Sequence, residues 1–207
     1  IDCHTTDGSL HGFDLTYDTS HSNQHLFSSL LSQSRSLLET TGATIEKKYG
    51  FGSFWYGNYV NEEDPSSGWN TYPALPRFGS HYRGLLGKID ILLETYSYIS
   101  YQRRCQVMYA WLLELFREIS KRRTKILTVV QNEQTRIVQR GLIQDPSTQV
   151  GIQYGVAKRD EKGALLFDYP AYQNKNDLAT IKAFDLPSIK AHRYPGKKTE
   201  VYQMPHF

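Results

Sequence analysis

The chain has 207 residues, with 24 Lys plus Arg against 21 Asp plus Glu, for a formal charge of +3. That length holds one good-sized domain, or one domain and a small appendage, with enough chain to bury a core. The charge is too small to argue for a nucleic-acid partner. A mean hydropathy of −0.53 is that of a globular chain, neither disordered nor membrane-embedded, and no run of ~18 apolar residues is present to span a bilayer.

In chain order, Ile1 to His4 reads as a short strand that runs into a loop. Residues 7 to 23, rich in Gly, Asp, Ser, Thr and His, read as a long loop of the kind that is often functional. Residues 22 to 41 carry Leu26, Phe27, Leu30, Leu31, Leu37 and Leu38 at a helical period. Ser22 or Asn23 is placed to cap that helix and Gly42 to stop it. Residues 53 to 60 are aromatic and β-prone. Residues 61 to 81, with Glu-Glu-Asp-Pro-Ser-Ser-Gly and two further prolines, read as a second long loop.

Ile89 to Leu93 is an apolar run, broken only by Asp90, of the kind that forms a strand buried on both faces; Glu94 stands at its C-terminal end. A long helix is predicted from about Tyr101 to about Thr128, with Val107, Met108, Trp111, Leu112, Leu115, Phe116 and Ile119 on its apolar face. Composition shifts after residue 145. Val150 to Val156 and Ala164 to Asp168 look like strands about an Asp160–Gly163 turn, with a further strand at Glu200 to Met204. The expected organisation is an α/β domain over residues 1–145 and a small β-rich C-terminal extension over 146–207. Neither end reads as a natural terminus: there is no starting Met, no signal peptide and no tapering polar tail.

Several residues invite chemistry. A carboxylate at the end of a buried strand has little water to solvate it, so the Glu94 pKa should rise unless the group is paired. Ligands in open α/β sheets also sit at strand C-terminal ends. The competing reading is a structural Glu paired with Arg103 or Arg104. His4 likewise ends an apolar strand, and Asp2 two residues earlier faces the same side. An Asp that holds the far nitrogen of a metal-bound His is a common supporting device; the plainer reading is a capping or core His. The basic run Arg117 to Lys125 reads as a solvated helix end with cations near the C-terminal dipole. Cys3 and Cys105 could be one bridge or two buried thiols. The 15 Tyr, three Trp and nine Phe suit a peptide- or sugar-handling surface as well as a core.

Two segments together resemble the zinc carboxypeptidases, the family of carboxypeptidase A. One is Asp2-Cys3-His4-Thr5-Thr6-Asp7-Gly8-Ser9 with His11-Gly12. The other runs from Pro76-Arg77-Phe78-Gly79-Ser80-His81-Tyr82-Arg83-Gly84 through Lys88-Ile89-Asp90-Ile91-Leu92-Leu93-Glu94 to Tyr98. They are similar to a bacterial branch reading D-x-H-T-T-(N/D)-G-S and, later, Y-x-G-L followed by I-x-(I/x)-L-x-E. The likeness covers residues 1 to about 110.

The resemblance implies a carboxypeptidase-like mixed sheet with flanking helices, present in part, and a zinc cofactor. It implies a metallocarboxypeptidase that releases C-terminal residues from peptide or protein substrates. His4 matches the family's downstream zinc ligand and Glu94 its general base; Asp2 would support His4. Tyr72 or Tyr82 could close over substrate, and Arg77 could meet an acidic substrate group or be a loop-surface cation. The family's His-x-x-Glu pair and its carboxylate-gripping Asn-Arg segment would lie upstream of Ile1, so the remainder of the polypeptide is an implied partner, and residues 1–207 alone are expected to be inactive. Family habit points to a secreted or periplasmic bacterial enzyme. Two alternatives stand beside this reading. One is a non-catalytic carboxypeptidase-like module holding peptide or glycan on Trp55, Tyr56, Tyr59, Trp69 and Tyr72. The other is a related zinc hydrolase acting on a different amide or ester.

Overall fold

The computed structural model describes residues 1–6, 11–21, 28–61, 64–72 and 74–143, and four short strands beyond them. The principal sheet contains β1 (Asp2–Thr5), β2 (Leu15–Thr19), β3 (Ser53–Trp55) and β6 (Ile91–Thr95), in the spatial order β1-β6-β2-β3. It is a mixed sheet: β1 runs parallel to β6, β2 antiparallel to β6, and β3 parallel to β2. A second sheet carries β4 (Asn58–Asn61) and β5 (Asp64–Asn70), joined by β10 (Val201–Gln203) and then β7 (Ala157–Lys158). β8 (Asp168–Pro170) and β9 (Ala191–Arg193) form a separate antiparallel pair. The helices are α1 (Ser28–Tyr49), α2 (Gly79–Leu85), α3 (Tyr101–Lys121) and α4 (Arg123–Ile143). Among the described residues, no helix is long and apolar enough to cross a membrane.

Alternation along the strands sorts the residues onto two faces. Leu15 and Tyr17 of β2, Trp55 of β3, and Ile91 and Leu93 of β6 point to one of them. There they meet Leu37, Leu38 and Ile45 of α1 and Val107, Ala110, Trp111 and Leu115 of α3. Full burial of each such side chain contributes roughly 1.5–3 kcal/mol. The two helices are also clamped to each other: Lys48 Nζ and Tyr49 Oη, both on α1, donate to Glu114 Oε1 on α3 at 2.7 and 2.8 Å. The opposite face of the sheet carries His4, Glu94 and Thr16.

Several sequence expectations are corrected. The loop expected over 7–23 contains β2, a fully buried strand, because Leu-Thr-Tyr-Asp-Thr pairs on both sides, with β6 and β3. The loop expected over 61–81 contains β5, whose Trp69 is buried against Tyr59 of β4. The β-prone run 53–60 is two strands in two sheets, not one. The helix expected to stop at Gly42 passes through it to Tyr49. Gly42 is there for closeness rather than for termination: a Cβ on it would lie 3.3 Å from Ser53 Oγ and 3.4 Å from the Tyr17 ring. The stop is Gly50, at φ +70°, whose N–H bonds the Glu46 carbonyl. The proposed caps Ser22 and Asn23 lie outside the described residues.

The strand expected at Ile89 to Leu93 is Ile91–Thr95, so Glu94 lies within it. The helix expected over 101–128 ends at Lys121, and α4 begins at Arg123. At the break, the Arg122 guanidinium donates to Ser36 Oγ at 2.9 Å and to Thr40 Oγ1 at 2.8 Å, both on α1. Tertiary bonding thus holds the junction where propensity would continue one helix. In the basic run, Arg117 pairs with Glu114 and Lys121 with Glu118, as a solvated helix end would. The strand expected at Val150–Val156 and the turn at 160–163 lie outside the described residues, as does the strand expected at Ala164–Asp168 except for Asp168, where β8 begins, whereas β10 falls inside the run expected at Glu200–Met204. β10 pairs with β5, Val201 beside Trp69. Cys3 and Cys105 are both exposed and unbridged, and are therefore neither the bridge nor the buried thiols considered.

Candidate functional site

The site is assembled by strand register. β1 and β6 are parallel neighbours, and their pairing sets Asp2 beside Leu92, Cys3 beside Leu93 and His4 beside Glu94. On the other side of β6, Thr16 of β2 is the partner of Glu94. Residues paired in register share a face. His4, Glu94 and Thr16 therefore stand in one row across three strands, near the carboxyl ends of β1 and β6. Leu93 and Tyr17 point the other way, into the core.

His4 is half exposed and Glu94 is buried. The ring nitrogen His4 Nε2 lies 2.8 Å from Asp2 Oδ1. The Asp2 carboxyl is pulled up by burial, but hydrogen bonds and charge from His4 and Arg83 outweigh this and hold it below its ordinary value. An ionised Asp2 accepts from an Nε2–H, which leaves Nδ1 of a neutral ring as the lone-pair nitrogen. Arg103 Nε donates to Asp14 Oδ1 at 2.6 Å, and Arg104 Nη1 to the Ser97 carbonyl at 3.3 Å. The Thr16 hydroxyl is buried, with no hydrogen-bond partner among the described residues.

The residues assigned to substrate are spread along the cover of this face. Tyr72 follows β5 and is half-buried; its hydroxyl shares a 2.9 Å bond with Ser80 Oγ, and its ring stacks on His81 at 4.8 Å. Burial, then the Asp18 charge, pushes its phenol well above the ordinary range, so it stays protonated. Tyr82 on α2 is 54% exposed and is the freer of the two tyrosines. Arg77 is exposed, its guanidinium 4.9 Å from the Phe78 ring centroid. The structure brings His4, Asp2 and Glu94 together by pairing; it places Tyr72, Tyr82 and Arg77 on the 71–85 segment.

A second polar group on this face was missed in the sequence. Asp18 Oδ1 lies 2.8 Å from His21 Nε2, and Asp18 Oδ2 accepts from Thr71 Oγ1 at 3.2 Å. The His21 backbone N–H donates to His81 Nδ1 at 3.1 Å. All four residues are buried. His21 and His25 have the i, i+4 spacing of a metal-binding pair, but His21 Nε2 is taken by Asp18 and His25 lies outside the described residues. The cluster joins β2, the segment after β5 and α2, which is a structural use of its polar groups. Arg83 was also missed: it donates from Nε to the buried Asp90 and from Nη2 to Asp2 Oδ2 at 3.3 Å.

Three of the five aromatics considered for a peptide- or glycan-holding surface are interior. Trp55, Tyr59 and Trp69 are each at most 5% exposed, and Trp69 Nε1 donates to the Trp55 carbonyl at 3.1 Å. They build the junction between the sheets.

No protein-family model, curated protein or solved structure matches this chain. The functional reading accordingly stands on the site itself and on the motif resemblance. Among the described residues, no group of three or more His, Cys, Asp and Glu comes together as a metal-ligand set. A catalytic zinc needs three protein ligands and an open position. The donors present fit one nitrogen ligand with its supporting carboxylate and a neighbouring base, which is a part of such a site.

Two buried imidazoles set an acid limit on stability. Burial lowers His11 to about 3 and, with the nearby His21 charge, His81 to about 3, from an ordinary 6.5. Both are neutral in the folded chain, whereas the unfolded chain binds their protons below about 6.5. Their contribution is therefore complete above 6.5 and is lost as the pH falls toward about 3. Glu114, held at about 2 chiefly by hydrogen bonds from Lys48 and Tyr49, acts in the same direction below its ordinary 4.5. Urea unfolding across this range is expected to show stability falling steadily from pH 6.5 to 4. His11→Gln, which binds no proton there, is expected to flatten the slope; an unchanged slope would mean that His11 is not held neutral.

Proposed function

We propose that this chain is part of a zinc-dependent carboxypeptidase-like hydrolase, acting on peptide or protein substrates. The observation that carries the reading is the register pairing of His4 with Glu94, which are 90 residues apart in sequence, with Asp2 on the His4 Nε2. A histidine whose far nitrogen is held by a carboxylate, set beside a buried glutamate at the carboxyl end of parallel strands, is a combination suited to metal-assisted hydrolysis. In this reading the other ligands come from the remainder of the polypeptide, upstream of Ile1.

His4 would hold the zinc through Nδ1, and Asp2 orients the ring and keeps Nε2 protonated. Bound zinc would supply a polarised carbonyl and an acidified water. Glu94 accepts a proton from the attacking water and returns it to the departing amine. Its burial keeps bulk water from competing for that proton. Thr16, beside Glu94, offers a hydroxyl to the same row. Tyr82 and Arg77 are the exposed groups of the 71–85 segment that can meet substrate.

The test is zinc stoichiometry on residues 1–207 beside His4→Ala. The expected result is no stoichiometric zinc and no peptide turnover by either chain, with both acquired when the upstream polypeptide is included and lost again in His4→Ala. Turnover by residues 1–207 alone that disappears in Glu94→Gln would overturn the divided site. Full-length protein that binds zinc equally well without His4 would overturn the ligand assignment.

A further inference from the structure

Arg83 sits on α2, outside the His4–Glu94 row, yet its guanidinium reaches two carboxylates at once. Its Nε donates to Asp90, and its Nη2 lies 3.3 Å from Asp2 Oδ2. The other oxygen of Asp2 is 2.8 Å from His4 Nε2. Asp90 is buried and immediately precedes β6. By strand alternation Asp90, Leu92 and Glu94 lie on one face, and Asp2 and His4 are the register neighbours of Leu92 and Glu94. The chain of contacts Asp90–Arg83–Asp2–His4 therefore starts just before the strand that carries Glu94 and ends at His4, the register neighbour of Glu94.

This arrangement does something that Asp2 alone does not. Asp2 is 41% exposed on a strand at the sheet edge, and its carboxylate is free to turn toward water. A guanidinium is a planar fork that fixes the direction of the groups it binds. One arm is anchored on the buried Asp90, so the other holds one oxygen of Asp2 and turns the second toward His4.

We propose that Arg83 is a positioning residue for His4: anchored on Asp90, it orients the Asp2 carboxylate so that His4 is kept in the Nε2–H tautomer, with Nδ1 bare. The purpose of a bare Nδ1 rests on the zinc reading above; the orientation itself does not.

The test uses 15N-labelled residues 1–207 and long-range proton–nitrogen spectra of the imidazoles, at a pH where His4 is neutral. Wild-type His4 is expected to show a single Nε2–H pattern. Arg83→Gln is expected to shift His4 toward the mixed pattern of a free imidazole. Because that change strands a buried carboxylate, the variant R83Q/D90N, which removes both charges, is measured beside it and is expected to show the same shift. His21, whose Nε2 meets Asp18 away from Arg83, serves as the internal control and is expected to stay unchanged. A His4 pattern unaltered in folded R83Q/D90N overturns the proposal, as does a mixed pattern in wild type. The readout involves neither zinc nor turnover, so the hydrolase reading can fail while this holds, and the reverse.

Discussion

On the proposed hydrolase reading, Glu94→Gln is expected to lower peptide hydrolysis by the longer protein about 10²–10⁴-fold, the range for loss of a positioned general base. The amide has the volume of the carboxylate but cannot take a proton from water at neutral pH. Glu94 is in a paired strand, between His4 on β1 and Thr16 on β2, and an isosteric side chain leaves both ladders intact. The loss should therefore fall on kcat, with the thermal midpoint and zinc content close to those of wild type. Steady-state kinetics beside a melting curve separate the two effects. A variant that is folded and zinc-loaded yet turns over at the wild-type rate would remove Glu94 from the chemistry. A variant that loses rate only because it unfolds would show the loss in the melting curve as well.

The largest effect on stability is expected at Trp111. Its side chain is 0% exposed and meets the Tyr17 ring at 5.1 Å between centroids, at the centre of the contact between α3 and the sheet. Trp111→Ala is expected to cost about 3–5 kcal/mol in urea unfolding, from lost transfer energy and the cavity left behind. Trp111→Phe should cost much less. Most of the ring area is kept, and the indole Nε1, which is buried with no hydrogen-bond partner among the described residues, is removed together with its desolvation penalty. If the two substitutions cost the same, packing at Trp111 does not govern the core.

How much of this was legible in the sequence depends on the range of the interaction concerned. The α3 face was readable because Val107, Trp111 and Leu115 repeat at the helical period, and all three are buried, although Phe116, read onto the same face, is 57% exposed. The strand that carries Glu94 was readable, to within two residues, as an apolar run broken only by Asp90. β2 and β5 were not. Leu-Thr-Tyr-Asp-Thr does alternate, but it is short and sits in a run rich in Gly, Asp, Ser and His, and the Pro- and Ser-containing 64–70 segment has no clear alternation; both are strands in the fold, where β6, β3 and β4 offer ladders to them. Gly42 shows the same limit from the other side. Locally it is a helix stop, but in the fold it lies inside α1, against Tyr17 and Ser53.

The site divides in the same way. The residue types at Asp2, His4 and Glu94, their places at strand ends, and the shared face of Asp2 and His4 follow from composition and a period of two, which are local properties of the chain. The sequence by itself thus determined which groups were available for acid–base and metal chemistry. Tertiary structure decided which of them meet. Only the parallel pairing of β1 with β6 sets His4 beside Glu94, only the packing of α2 carries Arg83 to Asp2, and only the joining of two sheets buries Trp55, Tyr59 and Trp69. The first two of these contacts close long loops of chain. The energy that holds them comes from ladders and burial that no single segment contains.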